Sequence, residues 1–173
     1  MLLAAICWSI AIIIFKSASK ELSPFLIVSL KNTIALFCFI ISFLIFDISI
    51  WQNNFTNIDY FKIIISGCLG MGIGDILFIY ALSQIGANRV AIINCFEPGV
   101  IYFFSIMMVG TILTLQQFIG LIIVILSILI ISYEKDNSDI EKKIKQRGLL
   151  FQITAVLLSS FGIVLIKPVL SKV

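Results

Sequence analysis

Six long apolar runs occupy most of the chain, at residues 2–19, 25–46, 61–82, 89–110, 115–133 and 148–170. A helix needs about 20 mostly apolar residues to cross a bilayer, and these lengths bracket that figure. Strands inside lipid must close into a barrel and alternate apolar with polar residues, which these runs do not do. The runs therefore predict an all-α integral membrane protein with about six transmembrane helices. The composition agrees, with 61% hydrophobic and only 12% charged residues among 173. That is about half the charge of a soluble domain, and far too apolar for a disordered chain.

The same composition excludes several kinds of chemistry. The chain has no His, which removes Ser-His triads, His general bases and His-ligated metals. A net charge of +3, spread along the chain, gives no nucleic-acid surface. Cys7, Cys38, Cys68 and Cys95 stand one in each of four apolar segments with no CxxC spacing, and read as small buried packing residues rather than metal ligands. No Asp pair in adjacent helices and no Ser-nucleophile motif is present, so an intramembrane enzyme is disfavoured and neither cofactor nor metal is implied.

The connections are short and carry turn signals. Pro24 opens the second helix at a position where proline is tolerated. Residues 47–60 read as a water-facing loop with interfacial Trp51 and Tyr60. Asn54-Phe55-Thr56 in it is formally a glycosylation sequon, read as incidental. Turns are expected at 83–88, around Gly86, and at 110–115. Residues 134–147 hold nine of the chain's 21 charges and read as a solvated linker between two units. A shift of 151 residues sets Ala4 on Ala155, Ser9 on Ser160, Ile12 on Ile163 and Lys16 on Lys167, so the segment after the linker reads as the start of a second copy.

Ionisable groups inside a span are costly and mark functional sites by default. Lys31 lies about two turns into the second helix, Asp75 near the middle of the third, and Glu97 near the middle of the fourth. A lone charge at mid-bilayer costs about 3 kcal/mol, so Lys31 paired with Asp75 or Glu97 is the simplest arrangement. The bland readings are a structural ion pair, a neutral carboxyl, or a Lys31 that reaches back to the interface. A carboxyl that takes up a proton there would couple proton movement to transport. Gly70 and Gly74 form a GxxxG pair suited to close helix packing. The run GCLGMGIGD follows no strand and lacks the GxGxxG spacing, so dinucleotide binding is rejected. Asn94, Glu97 and Pro98 stand together, and Pro98 predicts a kinked or broken helix of the kind that carries transporter sites. Trp8, Tyr80 and Tyr102 are aromatic candidates for lining a cavity, with packing as the bland alternative.

In order and spacing the segments ICWSIAIIIFK, SPFLIVSLKN, GIGDILFIYALSQIGANRVAIINCFEPGV and VGTILTLQQFIGLIIVILSILI resemble the EamA-type branch of the drug/metabolite transporter superfamily. The matching features are Trp8-Ser9, Pro24 and Lys31, Gly74-Asp75, Ala81-Leu82, Gly86-Ala87, Pro98, Gly110, Leu113-Thr114 and Gly120. Two departures stand out: Lys31 where the family more often has Arg, and Thr111 where a Glu is common. The resemblance implies an EamA-like helical bundle. Residues 1–133 would be a first five-helix repeat, 134–147 the charged linker, and 148–173 the first helix of an incomplete second repeat. A ten-helix carrier is the family norm, so the chain reads as truncated relative to it.

The implied function is a small-metabolite or drug carrier, often an exporter, working by alternating access. The implied substrate-path residues are Glu97, Asp75, Lys31, Asn94, Pro98 and Trp8. Its partners would be the lipid bilayer, a small-molecule solute, and a second copy or second half-transporter. The alternative is a membrane structural or regulatory subunit without transport of its own. Ile-, Asn- and Lys-rich usage points to a prokaryotic plasma (inner) membrane. The family's usual orientation places residues 134–147 outside the cell. The charge count opposes it, because Lys16, Lys20, Arg89 and five cations of the long loop share one end while Lys62, Lys167 and Lys172 hold the other.

Overall fold

The structure, a computed structural model, describes residues 2–47, 55–112, 114–131 and 142–172. Helices α1 (Leu2–Ala18), α2 (Pro24–Ile45), α3 (Asn57–Ser66), α4 (Asp75–Asn94), α5 (Glu97–Val109), α6 (Leu115–Ile131) and α7 (Lys142–Leu170) follow one another, and no strand occurs among the described residues. A π-helical segment, Gly67–Gly74, joins α3 to α4 without a break in the rod.

The helix ends carry local chemistry that the sequence announces. Ser23 caps α2 by accepting from the Leu26 N–H at 3.3 Å, with Pro24 in the first turn. Asp59 accepts from the Thr56 N–H and hydroxyl at 2.9 and 2.8 Å, starting α3 four residues ahead of the apolar run. Thr114 and Gln117 exchange backbone and side-chain bonds at the start of α6. Gly110, left-handed at φ 69°, ends α5.

The expected turn between the third and fourth runs is a single sharp residue. Gly86 has φ 79° and ψ 169°, a region open essentially to glycine, and it divides α4 in two. Gly86→Ala is expected to cost about 1–3 kcal/mol, read as a lowered unfolding midpoint in detergent. An unchanged midpoint would show that the turn tolerates a side chain.

Two stretches differ from expectation. α7 begins at Lys142, so Lys142, Lys143, Lys145 and Arg147, expected in a loop, form its first turns. The Arg147 guanidinium lies 5.3 Å from the Phe151 ring centre, one turn on, which uses its charge within the helix. The glycine-rich part of the third run, read as a packing stripe on a helix, widens into the π form. Met71 O, within that segment, accepts from Asn32 Nδ2 at 3.2 Å. The cysteines also depart from the expectation of burial. Only Cys95 is buried, while Cys7, Cys38 and Cys68 are exposed at the surface of the bundle. Trp51, Asn54, Leu113 and residues 134–141 of the charged linker lie outside the described residues.

α7 packs along α3, the π segment, α4 and α5, while α1 and α2 flank α4. The core lies between α4 and α7, with Leu82, Val90, Val164 and Gln152 fully buried. Small residues let the helices close. A side-chain carbon added at Gly74 would sit 2.9 Å from Ser159 Oγ, and one at Gly162 would sit 3.1 Å from Ser66 O. Ser66 Oγ also donates to Gly162 O at 2.8 Å.

Contacts along the rods set direction. Trp8 meets Phe78 and Lys16 reaches Gly86, so α1 runs parallel to α4. Gly148 meets Ile85, Gly162 meets Ser66, and Lys172 Nζ donates to Asp59 Oδ2 at 2.6 Å, so α7 runs the opposite way. The outward faces, such as Phe37, Leu44, Ile123 and Ile130, are apolar and exposed, as a lipid-facing surface must be. Pro24–Ile45, Asn57–Asn94 and Lys142–Leu170 are long and apolar enough to cross a membrane, and three shorter apolar helices accompany them.

Candidate functional site

The fourth apolar run is interrupted at Cys95 and Phe96, one turn ahead of where Pro98 can no longer donate a backbone hydrogen bond. Pro98 thereby sits in the first turn of α5, where its missing N–H is harmless. The interruption places Asn94 as the last residue of α4 and Glu97 as the first of α5. On the neighbouring rod the π segment ends at Gly74, placing Asp75 at the first position of α4. Two irregular backbones thus deliver the polar residues to one depth.

A cavity of about 100 Å³ opens between them, lined by Trp8, Asp75, Asn94, Glu97, Gln152 and Ser159 with Phe78, Ala155 and Val156. One water needs roughly 10–15 Å³, so several waters or the head group of a small solute fit. Trp8 and Phe78 meet with ring centres 6.4 Å apart. Gln152 is 1% exposed and donates from Nε2 to Asn94 Oδ1 at 2.6 Å, while its Oε1 is buried with no partner. Among the described residues the Glu97 carboxylate makes neither a hydrogen bond nor an ion pair, and no group of acidic or cysteine side chains is placed to hold a metal.

Lys31 does not reach Glu97. It pairs with Asp75 Oδ2 from the α2 side and lines a second, smaller cleft of about 10 Å³ that shares Trp8, Asp75 and Phe78 with the cavity. The Asp75 carboxylate is therefore a common wall. The two side chains are 30% and 21% exposed, so their pairing is worth less than the about 3–5 kcal/mol lost on breaking a fully buried pair. Lys31→Met is expected to cost about 2 kcal/mol. Adding Asp75→Asn should restore part of it, because no unpaired carboxylate remains. A double variant no more stable than Lys31→Met would show that the pair carries no coupling.

Of the other expected residues, Pro98 positions the site without lining it. Gly70 and Gly74 lie against α7, where Ser159 faces them. Tyr80 packs on Phe151 at 5.6 Å and Tyr102 lines neither cavity. The sequence reading missed Gln152 and Ser159. Gln152 is an amide inside an apolar run, which is itself a signal. Ser159 is the residue that the 151-residue shift sets on Trp8, and both line the same cavity.

Residues 1–133 match the EamA-like transporter family. The chain belongs to that family. No curated protein and no solved structure gives a significant match. This EamA-like chain is accordingly an integral membrane protein of a transporter family, an all-helical bundle in contact with the bilayer. The cavity straddles the edge of the matched region: α1, α4 and α5 lie within it, and α7 supplies the remaining wall from outside.

Proposed function

We propose that the chain is a small-solute carrier, an exporter working by alternating access, with its solute held in the cavity at the α4–α5 interruption. The observation that carries this reading is the meeting of Asp75, Asn94, Glu97 and Gln152 around one cavity inside an otherwise apolar bundle. Charged and amide groups at that depth are costly unless they serve a path or one another, and Glu97 has no protein partner among the described residues. Discontinuous helices at mid-depth, and first helices of opposite direction on either side of a site, are the recurrent build of alternating-access carriers. The irregular backbone supplies the joints: Gly86, the π segment and the break at 95–96.

Orientation follows from charge. Lys16, Lys20, Arg89, Lys142, Lys143, Lys145 and Arg147 gather at the end where α7 begins, against Lys62, Lys167 and Lys172 at the other. The first end is the cytoplasmic one under the positive-inside rule, in a prokaryotic inner membrane.

The test is solute flux in vesicles holding the purified chain, alone and with a co-expressed five-helix half, against amino acids, nucleosides and small organic cations. Saturable flux in either arrangement is expected. Its absence from both, with the protein folded, would overturn the carrier reading in favour of a structural or regulatory subunit.

A further inference from the structure

We propose that the group recognised in this cavity is a protonated amine, so that the solutes taken are small compounds carrying a primary ammonium. The inference rests on the cavity being the solute site and adds the chemical class.

The charge inventory of the walls points one way. Asp75 and Lys31 neutralise each other. Lys31 approaches from the smaller cleft, and no other cation among the described residues lines the cavity. Glu97 is left as an acidic side chain without a protein partner among the described residues. A carboxylate solute would face two carboxylates with no free cation and would lose its hydration for nothing. A neutral solute would leave Glu97 unpaired inside the span.

A second, independent observation asks for a donor. Gln152 is 1% exposed, its amide is fixed by the 2.6 Å bond to Asn94, and its Oε1 accepts nothing. A buried acceptor left unsatisfied is costly, and an incoming N–H removes the cost. An ammonium has three donors, enough for Glu97, Gln152 Oε1 and a free lone pair of Asp75. The aromatic wall of Trp8 and Phe78 suits the same charge, since ring faces are electron-rich. The volume of about 100 Å³ suits a head group with a short carbon chain, well below the roughly 300–1,000 Å³ of drug-sized sites.

The test uses the full chain with Trp51→Phe, which leaves Trp8 as its single tryptophan. Trp8 emission is titrated at neutral pH with n-propylammonium, propionate and 1-propanol, matched in length. The expected result is a saturable change with propylammonium only, weakened at least tenfold by Glu97→Gln and several-fold by Gln152→Met. Glu97→Gln preserves shape, so the outcome does not depend on Gln152→Met folding. Propionate or propanol binding as tightly as propylammonium would overturn the ammonium assignment while leaving the cavity as the solute site. No change with any probe, in a helical and monodisperse protein, would overturn both.

Discussion

Glu97→Gln is expected to lower solute flux by about tenfold to a hundredfold while leaving the protein as stable as before, or more so. A hydrogen bond to a charged group is worth about 1.5–3 kcal/mol, which converts to that range at about 1.4 kcal/mol per factor of ten. The Glu97 carboxyl has no polar partner among the described residues, so the substitution breaks no hydrogen bond or ion pair between them. It also removes an unpaired acid from a span, where holding it ionised costs about 3 kcal/mol on insertion scales. Flux down with stability level or up is the signature of a residue kept for its solute. A purely structural acid would show the reverse. The two readings separate when flux and the unfolding midpoint are measured on one preparation.

Gly162→Val should detach α7 from the rest of the bundle. The added carbons would meet backbone rather than a pliable side chain: Ser66 O at 3.1 Å and Gly70 Cα at 3.6 Å. Helix backbones must separate to admit them, and the 2.8 Å bond from Ser66 Oγ to Gly162 O goes with that movement. Overpacking a close seam costs about 1–3 kcal/mol. Because α7 carries Gln152 and Ser159, the cavity opens as the seam opens, and flux falls with stability. Gly120→Val is the control, since nothing lies within 4 Å of a side chain added there. Unfolding followed by circular dichroism in detergent distinguishes them. Equal midpoints for the two variants would mean that the Gly162 contact does not hold the bundle.

Much of this fold is legible because lipid leaves the backbone few choices. The apolar runs fall on helices among the described residues, and Gly86, Gly110 and Pro98 mark where the chain turns or breaks. What stays hidden is what depends on register between rods. Lys31 faces Asp75 rather than Glu97 because α2 packs on α4 and leaves Glu97 across the cavity. The π segment escapes notice because four glycines in a span read equally well as a packing stripe. The early start of α7 is masked by its own charge: lysines on a first helical turn look like loop until the packing partner is known. Gln152 shows the converse, since its place in an apolar run flags it and only the fold reveals its orphaned oxygen.

The most direct measurement bears on whether solute passes through this cavity. Ser159→Cys, in a chain whose Cys7, Cys38, Cys68 and Cys95 are replaced by Ala, puts one thiol on the α7 wall opposite Asp75 and Glu97. A small water-soluble thiol reagent should modify it, abolish flux, and be held off by transported solute. Flux that continues unchanged after complete modification of position 159 would contradict the account.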